Sequence, residues 1–180
     1  MERQLRSLEI TDEKVKIKFV EAAYIAGTSE NEEEDDDKVS EHKFTTESGL
    51  QPHKDLTDSM KKLRRLALEA LEINLADTKD YSAWNVVAIN IAGNVTEKKS
   101  RLVMTLEKEV KATGKGAKIK TGQITMYPDQ ADKVKFPFAD KISPIIEDII
   151  EECWSYLNGK YDESENGQYV LFPNRELIEK

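Results

Sequence analysis

With one cysteine and two histidines among 180 residues, the chain holds little of what metal sites and nucleophilic dyads are made from. Cys153 has no second cysteine for an internal disulfide, and with His42 and His53 it forms none of the spacings of structural zinc. A reducing, cytoplasmic setting is the simpler expectation. No apolar run approaches the roughly 18 residues that span a bilayer. The opening MERQLRSLEITDEKVKIKF also lacks the apolar segment and small-residue cleavage site of a secretory signal, so a soluble protein with no membrane partner is expected. Aromatic residues make up only 7% of the chain, which leaves few rings for a stacking surface.

Basic residues are also in deficit, 27 against 35 acidic ones, for a net charge of −8. The deficit is local. The stretch SENEEEDDDK, residues 29–38, holds seven carboxylates and one lysine, and the rest of the chain is close to neutral. Such a balance argues against a protein whose whole surface grips nucleic acid, because displacing counterions from phosphates needs a net-basic face, but it leaves room for a basic patch. The run itself contains no glycine and no D-x-[DN]-x-[DN]-G spacing, so it is not a calcium loop. Neighbouring acids in a loop repel one another and stay extended, whereas a mimic of nucleic acid needs carboxylates on a rigid surface. The run reads as a solvated connection.

What remains is periodic, and 180 residues suit one domain. KVKIKFVEAAY (14–24) alternates Val15, Ile17 and Phe19 with Lys14, Lys16 and Lys18, the pattern of a half-buried antiparallel strand. VSEHKFTTE (39–47) is a weaker strand, joined to the first by an acidic hairpin loop, residues 28–38, expected to be mobile. From Asp55 to Leu75 apolar residues recur at spacings of three and four, which predicts an amphipathic helix. Residues 83–95 carry β-branched side chains at both parities and read as a central strand covered on both faces. Arg101–Val110 alternates again, with Leu102, Met104 and Leu106 inward. ATGKGAK (112–118) is a glycine-containing turn, and 119–127 a further strand with Ile124 and Met126 on one face. Ser143-Pro144 predicts the start of a second helix and Gly159 its end. Trp154 and Tyr156 fall off that helix's isoleucine stripe. They pack under a short C-terminal strand, YVLF, reached through a polar linker at 161–168, or else mark a protein interface. The expected class is α+β, with an antiparallel sheet of about five or six strands and two amphipathic helices on one face.

Two stretches, PHKDLTDSMKKL (52–63) and YLNGKYDE (156–163), resemble a group of uncharacterised bacteriophage proteins of small α+β type. In that group a proline-histidine pair before an aspartate introduces the first helix, and a glycine-lysine pair ends the second. The resemblance covers residues 14–163. It implies a small phage protein acting in the host cytoplasm; it implies no activity, and no residue inherits a catalytic role from it.

No catalytic residue, metal ligand or cofactor is indicated. Cys153 lies on the apolar stripe of the second helix, where a free cysteine behaves as a small hydrophobe, and neither histidine has an evident partner. The better candidates bind anions. TGKGAKIK (113–120) places Gly114, Lys115, Gly116 and Lys118 together, although a phosphate-cradling loop would carry a longer glycine pattern and lead into a helix, so a plain turn is the competing reading. Lys98, Lys99 and Arg101 in the preceding hairpin either join these residues at one end of the sheet or lie at the other. If they converge, the patch accepts a nucleotide or a single strand, with Trp84 or Tyr127 available for stacking.

Two functions compete. One is a non-enzymatic phage-type binding protein that occupies a host protein or sequesters a small nucleotide ligand; its sharpest version is a sponge for a nucleotide signal in anti-defence, built as a homo-oligomer. The other is an accessory factor of phage replication or recombination that binds single-stranded DNA. An enzyme whose site is assembled only in space is a further reading. If the acidic run is only a connection, replacing Glu30–Asp37 by Asn-Gly should leave folding intact. Circular dichroism and a thermal melt matching the parent chain are the expected result.

Overall fold

The computed structural model describes residues 2–25, 38–73, 83–93, 100–110, 115–126 and 138–161. Its elements run β1 (Glu2–Ile10), β2 (Val15–Ile25), β3 (Lys38–Ser48), α1 (Lys54–Ala70), β4 (Trp84–Ala92), β5 (Arg101–Val110), β6 (Lys115–Lys120), β7 (Ile124–Thr125) and α2 (Ala139–Leu157). Six strands pair in the order β3-β2-β1-β4-β5-β6, every pair antiparallel, and the short β7 adds to the start of β5. The α+β class with an antiparallel sheet and two helices is as the sequence predicts. The acidic loop at 28–37 and the segment holding YVLF lie outside the described residues.

The periodicity of KVKIKF sets the sheet's polarity. Val15, Ile17 and Phe19 of β2 face the helices, while Lys16 and Lys18 face the other way. On the helix side Leu5, Leu8, Ile17, Ile89, Leu102, Met104 and Leu106 meet Leu56, Leu63 and Leu68 of α1 and Ile142, Ile146, Ile149 and Cys153 of α2 in one core. Removing that much apolar surface from water, at about 25 cal/mol per Å², is the main force holding helices to sheet.

β1 escapes the sequence reading because its apolar residues, Leu5, Leu8 and Ile10, do not keep period two. A bulge between Leu5 and Ser7 supplies the extra residue, and Leu5 and Leu8 both turn inward. A second bulge, between Val86 and Ala88, does the same in β4. This corrects the expectation that 83–95 is covered on both faces. Val86, Ile89 and Ile91 are all core residues despite their mixed parity, and Asn90 and Ala92 are exposed. The predicted strand at 119–127 is also two pieces. Between them the Thr121 N–H donates to the Met104 carbonyl and the Thr121 hydroxyl accepts from the Met104 N–H, each at 3.0 Å, carrying the chain from β6 to β7. Strand β6 begins at Lys115, so the expected turn at 112–118 is strand from there on.

α2 starts four residues before Ser143-Pro144. The added turn buries Ile142, and the Ser143 hydroxyl donates to the Met126 carbonyl at 2.6 Å instead of capping the helix. Tyr156 is buried, its hydroxyl donating to the Leu50 carbonyl at 2.7 Å and its ring set edge-on to Tyr161; Trp154 sits edge-on to Phe19. Lys160 then binds Asp55 at 2.7 Å and Glu152 at 2.8 Å, holding the end of α2 to the start of α1.

Both helices end in the same hydrogen-bond pattern. After α2, Lys160 N–H reaches the Ser155 carbonyl and Gly159 N–H the Tyr156 carbonyl, with Gly159 at φ 103°. After α1, earlier than the predicted Leu75, Ile73 N–H reaches Leu68 and Glu72 N–H reaches Glu69, but the left-handed position at φ 56° belongs to Glu72. A side chain there costs about 1–2 kcal/mol against glycine, part of which glycine loses through its freer unfolded chain. Glu72→Gly should therefore stabilise the fold by about 0.5–1 kcal/mol, seen as a higher urea midpoint at unchanged m-value.

Candidate functional site

The face of the sheet turned away from the helices carries polar and charged side chains at register positions that align across strands. One row reads Glu47, Lys16, Glu9, Ala88, Thr105, Lys120 across β3-β2-β1-β4-β5-β6, and the next reads Thr45, Lys18, Ser7, Asn90, Val103. Between β2 and β6 this face forms a depression of about 380 Å³. Ser7, Val87, Ala88, Asn90 and Thr105 form its floor together with Glu9 of β1, which the register sets between Lys16 and Ala88. Its charged lining is Lys16 and Lys18 on one side, Lys118 and Lys120 on the other, and Glu9 as the one carboxylate.

The lysines are not equally available. Lys16 contacts the Glu47 carboxylate, which Lys14 also binds at 3.2 Å; hydrogen bonds from Lys16 and then Lys14 hold the Glu47 carboxyl below its ordinary value. Lys118 lies 3.6 Å from Glu107. Lys18 and Lys120 are exposed and make no hydrogen bond or ion pair with any described residue. Four strand spacings of about 4.8 Å separate the lysine-bearing strands, roughly 19 Å along the row. One phosphate cannot touch both rims, whereas an oligoanion can.

Among the described residues, Lys118 and Lys120 of TGKGAKIK line this depression, and Trp84, Arg101, Lys115 and Gly116 do not. Gly116 and Lys115 belong to the same strand, but the Glu107 carboxylate fills the space beside Gly116, where a Cβ would collide with it. An anion is not cradled at that glycine. Arg101 shares the open face but stands at the far end of β5, where it donates to Gln123 at 3.1 Å; six residues of strand, about 20 Å, separate it from Glu107 and hence from Lys118. The two hairpins are thus at opposite ends of the sheet. Trp84 lies on the helix side, packed against the core with Lys108 Nζ 5.7 Å from its ring centre, so it cannot stack on a ligand bound across the sheet. Lys98, Lys99, Gly114 and Tyr127 lie outside the described residues.

Of the lysines that matter most, Lys16 and Lys18 were visible in sequence only as the outward face of a strand, and Lys120 only as the end of TGKGAKIK. Their meeting depends on β1 and β4 lying between them, which no local pattern reveals.

A second depression, about 260 Å³, lies along the α1–α2 seam among Asp55, Asp58, Asp148, Glu151 and Glu152. Lys61, Lys62 and Lys160 bind four of these carboxylates, so it is a seam of surface ion pairs. Among the described residues no group of three His, Cys, Asp or Glu side chains is placed to hold a metal ion, and no helix is long and apolar enough to cross a membrane.

His42 stands exposed on β3, and His53 caps α1 by accepting the Asp55 N–H at Nδ1, 3.3 Å away. Burial pushes the Cys153 thiol far above its ordinary value, which keeps it protonated and unreactive. Native protein should accordingly resist a thiol-specific reagent at neutral pH, and reaction should become complete on adding denaturant. The chain matches no protein-family model, no curated protein and no solved structure.

Proposed function

We propose that the protein is a non-enzymatic binding protein of phage type that sequesters a phosphate-bearing ligand, a nucleotide or a short single strand, across the open face of its sheet. One observation carries this reading. Two lysine pairs on β2 and β6 flank a hydrogen-bonding floor that carries a single carboxylate, Glu9, and one lysine of each pair, Lys18 and Lys120, has no partner among the described residues. Ammonium groups left without counter-charges are free to displace counterions from phosphates, while Ser7, Asn90 and Thr105 supply neutral hydrogen-bonding groups between them.

Among the described residues no aromatic ring lines this depression, so in this reading phosphates and not bases supply the affinity. Binding is then indifferent to sequence and steeply weakened by salt. The width of the floor favours a ligand with several phosphates over one with a single phosphate. The resemblance of 52–63 and 156–163 to phage proteins is in keeping with a binding role of this kind.

Two arms of one experiment distinguish the ligands. A labelled deoxyoligonucleotide is followed by fluorescence anisotropy at low salt, and a panel of cyclic and linear nucleotides is followed by calorimetry. Binding in either arm is expected, with the slope of log K against log salt falling by about 1 for each of Lys18→Ala and Lys120→Ala. If neither arm shows binding at micromolar protein and low salt, the reading is wrong.

A further inference from the structure

We infer that the outer edge of β3 pairs with β3 of a second copy of this chain, in an antiparallel register centred on His42. β3 is an eleven-residue edge strand whose register with β2 runs without a bulge from Val15↔Ser48 to Ile25↔Lys38. Among the described residues no strand lies on its outer side. It contains no proline or glycine. A long, regular edge is a ready template for another strand unless its charges forbid it.

The charges on β3 forbid most registers and favour one. A two-fold axis between antiparallel strands places residues of the same parity opposite each other, and on the open face those residues include Glu41, Lys43, Thr45 and Glu47. Centring on Glu41 or Lys43 sets like charges directly opposite, and centring on Phe44 sets Glu41 against Glu47. Centring on Thr45 matches Lys43 with Glu47, but Glu47 is already held by Lys14 and Lys16, and only 42–48 overlap. Centring on His42 overlaps 38–46 and places Glu41 against the partner's Lys43 twice. Both side chains are exposed, and neither makes an ion pair with a described residue. Opposite charges across a non-covalent strand pair are favourable and like charges are not.

The other edge is unsuited to this. β6 carries Lys118 and Lys120 on the same face and no acid anywhere in Lys115–Lys120, so a second copy of it is repelled. In the β3 pairing the two open faces end on the same side, and the lysine-flanked surfaces of both copies join into one. The inference needs no ligand and stands apart from the phosphate-binding reading.

Strand pairing of this length buries little surface and belongs with weak, concentration-dependent dimers. Sedimentation equilibrium at low salt over the micromolar range is the test, on the full chain, with circular dichroism confirming that each variant is folded. The parent chain is expected to dimerise. Glu41→Lys and Lys43→Glu should each weaken the dimer about tenfold or more, and the double variant, which restores opposite charges, should recover most of the loss. A parent chain that stays monomeric, single variants that dimerise as well as the parent, or a folded double variant no better than the singles would each overturn the inference.

Discussion

Leucine, isoleucine and methionine side chains from β1, β2, β4 and β5 escape water only if all of them emerge on the side of the sheet where α1 and α2 lie. Strand geometry alternates sides at every residue, so one-sided burial is a condition on every strand at once. β2 and β5 meet it by alternation, through Val15, Ile17 and Phe19 in one and Leu102, Met104 and Leu106 in the other. β1 and β4 meet it by inserting one residue, and both insertions sit in the middle of the sheet, where β1 and β4 are neighbours. The helices follow from the same condition. Their stripes of Leu56, Leu63 and Ala67, and of Ile142, Ile146, Ile149 and Cys153, have no other apolar surface to cover.

Once one face is sealed, the polar residues of the same strands have a single place to go. The lysines of KVKIKF are therefore displayed by the same alternation that buries Val15 and Ile17. Charge on the outside of the molecule is sorted by element: the helices neutralise their acids with Lys61, Lys62 and Lys160, while the open sheet face keeps Lys18 and Lys120 without counter-charges among the described residues. The second pattern is the one a ligand would notice.

The parts of the fold that obey a single period were legible. β2, β5 and α1 can be read directly from their alternation or their spacing of three and four, and Gly159 from the left-handed turn that ends α2. What was illegible depended on residues that break a period or meet from afar. The bulge after Leu5 hid β1, and the bulge at Val87 disguised a one-sided strand as a two-sided one. Ser143 misled because its hydroxyl binds a carbonyl on another segment, Met126, and not its own helix. The candidate site suffered most, since Lys18 and Lys120 are about a hundred residues apart and become neighbours across the floor only through the order of the strands.

That order leaves a seam. Eleven residue pairs join β2 to β3 and eight join β4 to β5, but only Ser7↔Asn90, Leu8↔Ile89 and Glu9↔Ala88 join β1 to β4. Mechanically the sheet is two stiff ribbons, β3-β2-β1 and β4-β5-β6, fastened by a short weld with a bulge beside it in each ribbon. The weld runs under Ser7, Ala88 and Asn90, down the centre line of the depression. The distance between its lysine rims is thus set across the joint that has the fewest residue pairs along the order β3-β2-β1-β4-β5-β6.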